Sequence, residues 1–242
     1  MRKQIPTNYQ DLFKFIAIIA MIIDHLGWFF WDNTWLRLIG RVAMPIFCFF
    51  AGYNYYLAKQ REAFRFFWQR KRYLNILTIG ILIDVLINLS IPERVVSNIL
   101  ITIIISLFLI DIFEKIKMPY WMVQILSILL LVPTYYIFDY GTLGFAFVYI
   151  GYNYKIVEQR EIYILLTTLW LNIFWFMSYI TLSLSTIQNL TMIGIITFQF
   201  WIFNFADLQR LIKYRILLLS RHILTIYFAH ITLFILLRSA IY

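Results

Sequence analysis

The chain has 242 residues, of which 62% are hydrophobic, 20% aromatic and 14% charged. An ordinary soluble domain is about half apolar and about a quarter charged, so this composition excludes a soluble globular protein and predicts an integral membrane protein. The formal net charge is +9, which we attribute to Lys and Arg in cytoplasmic loops rather than to a nucleic-acid partner.

Apolar segments long enough to cross a bilayer follow one another along the whole chain. A membrane-spanning helix needs about 20 mostly apolar residues. We predict nine such spans, at residues 12–31, 35–57, 73–91, 95–113, 120–138, 141–154, 162–181, 187–206 and 216–238. The first apolar run is too long for a cleavable signal peptide, and the single Cys48 excludes an intrachain disulfide. The sequence therefore predicts an all-α polytopic helical bundle that forms one integral-membrane domain over residues 1–242.

The distribution of basic residues predicts the orientation of this bundle. With the N-terminus in the cytoplasm, fifteen Lys and Arg fall in inside segments, and three (Arg37, Arg94 and Arg238) fall in outside segments or at the outer ends of spans. Lys14, Arg41 and Arg221, which lie within spans, are counted on neither side and complete the 21. Cytoplasmic loops carry such an excess of basic residues. We therefore predict a multi-pass protein of the bacterial cytoplasmic membrane, with its N-terminus inside and its C-terminus outside.

Polar side chains inside the predicted spans are the candidate functional groups, because such groups face the bundle interior or a cavity. The predicted topology brings polar residues from four spans to the outer half of the membrane. These residues are Asp24 and His25 in the first span, Arg37 and Arg41 in the second, Asp84 and Asn88 in the third, and Tyr227 and His230 in the ninth. Convergence of four helices predicts a shared site.

Lys14 and His25 lie on one face of the first span. They are eleven residues apart, and at about 100° per residue eleven steps return to within about 20° of the starting direction. The rise between them is about 16 Å. This face therefore carries a cation near the cytoplasm and an imidazole towards the outside, which suits a long anionic ligand whose reactive end reaches His25.

Several of these groups have structural alternatives. Lys14 could snorkel to the lipid headgroups, and Asp24 could form a buried pair with His25. Since neighbouring residues on a helix do not face each other, Asp24 is better placed to pair with Arg41 or Arg37, which leaves His25 for chemistry.

The remaining groups also have purely structural explanations. Arg37 could be an interfacial anchor, Asp84 could form a structural salt bridge with an arginine, and His230 could be a core histidine. His222 lies near the inner end and is predicted to be structural or interfacial. Asp24, His25 and Asp84 would make the best metal set, but we predict no metal centre.

The loop at residues 59–72 interleaves cations with aromatic residues, as in "KQREAFRFFWQRKR". Such a segment is typical of a surface that binds membrane lipid headgroups. Its cations could also hold the phosphates of a nucleotide.

Two stretches carry a resemblance to known families. "KFIAIIAMIIDHLGWFF" and "LRLIGRVAMPIFCFFAGYNYYLAK" resemble the opening of the TraX family, known from pilin N-acetylation in conjugative systems. The spacing of Lys14 and His25 is also similar to the transmembrane acyltransferase type three superfamily, which has a basic residue, ten residues and then His. "SRHILTIYFAHITLF", 220–234, resembles the last span of that superfamily. This chain has Lys14 where many superfamily members have arginine.

The resemblance implies an acetyltransferase that takes its acetyl group from cytoplasmic acetyl-CoA. The acceptor would be a membrane-associated peptide, such as a pilin N-terminus, or an envelope glycan at the outer face. By the same resemblance His25 is the catalytic histidine, Lys14 its basic partner in donor binding, and Arg41 the arginine of the "GRxAxP" element.

The chemistry of the residues is compatible with this activity. A neutral histidine suits a general base near pH 7, and Asp24 or Asp84 could orient it. Arg41, Asn88 or Tyr227 could donate to a tetrahedral oxyanion. We expect Lys14, Arg41 and Tyr227 to contact the donor, and Asp84, Asn88, Arg37 and His230 to contact the acceptor.

Two other classes of function remain open. A transporter would also place polar groups at the midplane between broken helices, and Pro45, Pro133 and Gly141 could mark interruptions. A non-enzymatic membrane assembly factor would not need Lys14 and His25 on one face.

Overall fold

Helices make up almost all of the structure, a computed structural model that describes residues 7–62, 69, 71–90, 98–135, 137–138, 140–157, 159–212 and 215–241. This confirms the all-α class. The α-helices of these ranges are α1 (Tyr9–Leu26), α2 (Thr34–Gly40), α3 (Ala43–Glu62), α4 (Lys71–Ser90), α5 (Ile99–Lys115), α6 (Tyr120–Leu129), α7 (Leu131–Tyr135), α8 (Gly141–Asn153), α9 (Arg160–Leu182), α10 (Thr186–Phe205) and α11 (Ile223–Ile241).

Five helical segments of the described chain are long and apolar enough to cross a membrane, which marks the chain as a membrane protein. They are Tyr9–Trp31, Thr34–Arg61, Arg160–Leu182, Thr186–Phe205 and Leu217–Arg238. The other four predicted spans coincide with α4, α5, the α6–α7 pair and α8. Whether these shorter or less apolar segments cross, and in which direction, stays a prediction. The ends of the third and fourth predicted spans, at 91 and 95–97, lie outside the described residues.

The first helix begins at a capping box. The Asn8 side chain accepts a hydrogen bond from the Asp11 backbone N–H at 3.0 Å, and the Asp11 carboxylate accepts one from the Asn8 N–H at 3.4 Å. This arrangement satisfies two backbone donors that the first turn leaves without helical partners. The helix then runs unbroken to Leu26 and continues as a π-helical turn, Gly27–Trp31. It ends at Asp32, which has the left-handed backbone conformation, with φ of 42°.

The second predicted span is broken between α2 and α3, at Arg41 and Val42. Pro45 lies four residues beyond Arg41 and has no N–H to donate to the Arg41 carbonyl. Gln199, fully buried on α10, supplies the missing donor: its Nε2 lies 3.1 Å from the Arg41 oxygen and 3.4 Å from the Val42 oxygen. The two carbonyls at the break therefore have a donor inside the protein, which irregular backbone needs wherever water is excluded.

Other interruptions lie close to the residues that suggest them in the sequence. The fifth predicted span breaks at Leu130 into α6 and α7, and Pro133 falls in the first turn of α7, where proline is tolerated. Gly141 opens α8 with φ of 45°, a conformation that favours glycine. The ninth span starts as a 3-10 helix, Arg215–His222, where the sequence predicts α-helix. The sequence also gives no sign of the short antiparallel pair β1 (Thr7–Asn8) and β2 (Leu211–Ile212).

The chain divides into two compact units, residues 1–47 with 171–234, and residues 48–170 with 235–242. In the first unit α1 packs against α2 and against the 3-10 helix, and β1 pairs with β2. The sequence prediction of a single domain over 1–242 stays a prediction.

The second unit is built around α8, which packs against α5, α6 and α7. Nearly every side chain of α8 is buried. The α3 and α8 backbones touch where Gly52 meets Val148 and Gly151 meets Phe49: a Cβ on either glycine would lie 1.8–1.9 Å from a carbonyl oxygen of the other helix. Glycine at these two positions therefore permits the contact between the helices.

Candidate functional site

Two histidines from opposite ends of the chain meet within the first unit. His25 lies in the last turn of α1 and His230 on α11, and His25 Nδ1 is 2.6 Å from His230 Nε2. Their ring centroids are 4.9 Å apart and their planes differ by 20°, so the rings meet through their edges. The second ring nitrogen of His230, Nδ1, lies 2.7 Å from the carbonyl oxygen of Ile226. The structure therefore brings the predicted base and a predicted acceptor-binding residue into direct contact.

Aromatic side chains surround this histidine pair. The Tyr227 ring lies 5.9 Å from His25 and 5.6 Å from His230, between centroids. Phe29 lies edge-on to His25 at 6.4 Å, and Phe234 edge-on to His230 at 5.6 Å. Tyr227 and His230 are buried, with 5% and 8% of their surfaces exposed. This low-polarity surrounding strengthens the hydrogen bond between the imidazoles relative to one in water.

Asp24 pairs with Arg37, one of the two partners that the sequence suggests. Asp24 Oδ1 lies 3.8 Å from Arg37 Nε, an ion-pair distance beyond that of a hydrogen bond. Gly40 permits the approach, since a Cβ there would lie 2.2 Å from the Asp24 Cβ. The α1 and α2 helices are therefore in close contact directly beside His25.

Arg41 and Lys14 belong to the same unit. Arg41 is buried, with 6% exposure, at the break between α2 and α3. Lys14 is half-buried on α1, and the unbroken helix carries it and His25 on one continuous element, as the sequence predicts. A role of either residue in donor binding stays a prediction.

Asp84 and Asn88, also predicted to contact the acceptor, lie on α4 in the second unit. Asp84 Oδ1 accepts hydrogen bonds from the Asn98 backbone N–H at 2.9 Å and from its Nδ2 at 2.7 Å. These contacts place Asp84 against the N-terminal cap of α5. Asn88 is exposed. Their predicted convergence with the histidine pair stays a prediction.

A carboxylate that sequence reasoning missed ties α1 to the 3-10 helix. Asp11 accepts a hydrogen bond from Arg221 Nη2 at 2.9 Å and one from the Ser220 hydroxyl at 3.3 Å. The signal was present in the sequence, since Asp11 lies three residues before Lys14 on the same helix and Arg221 is a cation within a predicted span.

A second missed group lies in the other unit. Lys59 Nζ lies 2.9 Å from Asp111 Oδ1 and also pairs with Glu114, while Tyr55 donates to Asp111 at 2.6 Å and Tyr152 donates to Glu114. The Asp111 side chain is fully buried. The sequence predicts Lys59 as part of the headgroup-binding loop, and its pattern singles out neither Asp111 nor Glu114.

Two sequence predictions, the headgroup-binding loop and the absence of a metal centre, can be compared only with the described residues. Half of the loop predicted to bind headgroups, residues 63–68 and 70 of 59–72, lies outside the described residues. Within the described ranges no group of three or more His, Cys, Asp or Glu is placed to hold a metal ion.

Comparison with known proteins gives one family. Residues 9–238 match the family described as "TraX protein". The chain is also 33% identical, over 163 residues, to an uncharacterized protein of Rickettsia prowazekii (strain Madrid E). That match covers 65% of this chain and 59% of the relative, so the chain spans about three-fifths of the length of the curated relative. No solved structure matches.

Proposed function

The chain belongs to the TraX family, and from that premise we propose that it is a membrane-embedded acetyltransferase. It moves an acetyl group from cytoplasmic acetyl-CoA to an amine or hydroxyl at the outer face of the bacterial cytoplasmic membrane. The observation that carries the proposal is the contact between His25 and His230, because two imidazoles at hydrogen-bond distance among apolar helices are typical of acid–base chemistry.

His25 is the general base of the proposed reaction. Its imidazole takes the proton of the acceptor amine or hydroxyl as the acceptor atom attacks the thioester carbonyl. A new C–N or C–O bond forms, the C–S bond breaks, and the leaving thiolate takes the proton back from the imidazolium. Atoms and charge balance without any further reactant.

The residues around His25 suit this step. Arg41 or Tyr227 donates to the oxyanion of the tetrahedral intermediate, and both are buried in the same unit as His25. The Asp24–Arg37 pair holds α1 against α2, so that His25 keeps its position. The aromatic side chains exclude water, which protects a thioester from hydrolysis.

Lys14 is the proposed contact for the charged part of acetyl-CoA. On the unbroken α1 it lies about 16 Å along the axis from His25. An extended pantetheine arm has a comparable length, so the nucleotide stays on the cytoplasmic side while the thioester reaches the imidazole. The acceptor is the N-terminus of a membrane-associated, pilin-like peptide or an envelope glycan.

The break between α2 and α3 is also a feature of transporters, which coordinate ions with the carbonyl oxygens of such broken helices. A transporter is therefore the alternative function. Here, however, Gln199 donates to the carbonyls of Arg41 and Val42. This occupation favours the enzyme, since these oxygens already have a donor inside the protein.

Purified protein in lipid nanodiscs, with radiolabelled acetyl-CoA and a panel of peptide amines and glycan hydroxyls, tests the proposal. We expect acetyl transfer that falls by about 100-fold or more in His25→Ala, the range for loss of a general base. His222→Ala is the matched control, because His222 is exposed and should leave transfer unchanged. Full activity in His25→Ala would remove His25 as the base. Substrate flux across sealed proteoliposomes of the same protein, without acetyl-CoA binding, would favour a transporter.

A further inference from the structure

We propose that His230 is a positioning residue that fixes the tautomer of His25 through a hydrogen-bond relay from the Ile226 carbonyl. The sequence suggests that His230 contacts the acceptor, whereas the geometry points to a role through His25. The inference rests on the proposed function for its catalytic consequence, but the tautomer itself can be measured without any transfer.

The relay starts at the backbone of α11. The Ile226 carbonyl oxygen lies 2.7 Å from His230 Nδ1. A carbonyl oxygen can only accept, so His230 Nδ1 must carry the proton and donate it. In neutral His230 the other nitrogen, Nε2, then has a lone pair and acts as an acceptor.

The tautomer of His230 in turn determines the tautomer of His25. His230 Nε2 lies 2.6 Å from His25 Nδ1, and the near-parallel ring planes allow an in-plane hydrogen bond. Because His230 Nε2 accepts, neutral His25 must donate from Nδ1. The basic lone pair of His25 therefore resides on Nε2, the nitrogen that takes a proton from the acceptor.

The backbone acceptor of the relay and the ring that donates to it lie on one rigid helix. Ile226 and His230 are four residues apart on one helix, so their spacing is set by the helix itself. His230 is 8% exposed, and the Phe234 ring lies edge-on to it. The His230 ring is therefore held by its own helix in the orientation that the relay needs.

This arrangement differs from catalytic triads, in which a carboxylate orients the histidine base. Here a neutral imidazole performs the orienting role, and Asp24 pairs with Arg37.

The first test is nitrogen NMR of the full chain in nanodiscs, labelled with 15N-histidine, at about pH 8, where imidazoles are mostly neutral. The chain has three histidines, so His222→Gln and His25→Ala assign the signals. We expect His25 and His230 both to carry the proton on Nδ1. In His230→Phe, which removes the acceptor, the His25 proton should move to Nε2.

The second test is the rate of acetyl transfer. In His230→Phe we expect kcat to fall by at least about tenfold with the KM values almost unchanged, since a wrong tautomer removes the base without removing binding. His230→Gln places an amide oxygen near the position of Nε2, so it should restore both the Nδ1–H signal of His25 and most of the rate. This rescue would not follow if His230 merely filled space.

The outcomes separate the two proposals. A proton on His25 Nε2 in the wild-type chain, or the same His25 tautomer in wild type and His230→Phe, overturns the relay. Unchanged kcat in His230→Phe overturns its catalytic consequence. If the wild-type chain transfers no acetyl group, the proposed function fails, while the NMR spectra still decide the relay.

Discussion

Replacing Gly40 by alanine is the most direct way to disturb the contact beside His25. A Cβ at Gly40 would lie 2.2 Å from Asp24 Cβ and 2.5 Å from its Cγ, whereas real Cβ atoms essentially never approach within 3.0 Å. The closest atom is a Cβ, which no rotamer change can move. The α1 and α2 helices must therefore separate locally by about 0.8 Å, the difference between 2.2 and 3.0 Å.

The expected cost follows from two opposing terms. Overpacking of a tightly packed contact typically costs about 1–3 kcal/mol. Replacing glycine by alanine in a helix returns about 0.5–1 kcal/mol. The two ranges leave a net loss of up to about 2.5 kcal/mol, which at roughly 2–4 °C per kcal/mol for a chain of this length lowers Tm by up to roughly 10 °C.

The assay is thermal unfolding of the purified chain in one detergent at one scan rate, with Gly194→Ala as the matched control. Gly194 lies on α10, and apart from its chain neighbours and the adjacent backbone of its own helix, no heavy atom of the described residues lies within 4 Å of a Cβ built there. That variant should raise Tm by about 1–4 °C, because only the helix-propensity term applies. Transfer by Gly40→Ala should fall by up to about 100-fold, the effect of a misplacement near 1 Å.

The contact is refuted if Gly40→Ala raises Tm as much as Gly194→Ala does. A lower Tm with full transfer activity would support the contact between α1 and α2 but would show that this contact does not determine the position of His25.

Two further substitutions test features on which the fold depends. Gln199→Leu should lower the free energy of unfolding by about 1–3 kcal/mol, because it removes the side-chain donor to the Arg41 carbonyl. The loss should be smaller in a Pro45→Ala background, whose new N–H can donate to that carbonyl, and additive Tm changes in the double variant would contradict this explanation. Lys59→Met should lower the free energy of unfolding by about 3–5 kcal/mol, because it removes the cation that pairs with the buried Asp111. Adding Asp111→Leu should recover much of the lost Tm. An unchanged Tm in Lys59→Met would show that the ion pair does not stabilise the fold.

Much of the architecture follows from hydrophobic patterning alone. Each apolar run produces a helix or a broken pair of helices, because a backbone among apolar groups must satisfy its own hydrogen bonds. The placement of Lys14 and His25 on one continuous helix also follows, since only their spacing and the absence of a breaker between them are needed. The pairing of Asp24 with an arginine of the next helix follows because neighbours on α1 cannot face each other.

The remaining features depend on contacts that patterning does not contain. The partner of His230 could not be found from depth alone, because depth places side chains in a layer and does not decide which touch. The role of Gln199 depends on a contact 158 residues away in sequence. Lys59 falls in the loop predicted to bind headgroups and Asp111 near the end of a predicted span, and only packing shows that the Asp111 side chain is buried.

The pairing of the first helix with the last has a consequence for biosynthesis. His25 contacts His230, which is 205 residues later in the chain, and Asp11 pairs with Arg221, which is 210 residues later. At about 5–20 residues per second, the ribosome needs roughly 10–40 seconds to make that stretch. During this interval the polar groups of α1 are in the membrane or its insertion machinery without α11. A chain interrupted before His230 therefore lacks the histidine pair, and the pair forms only after α11 has been made.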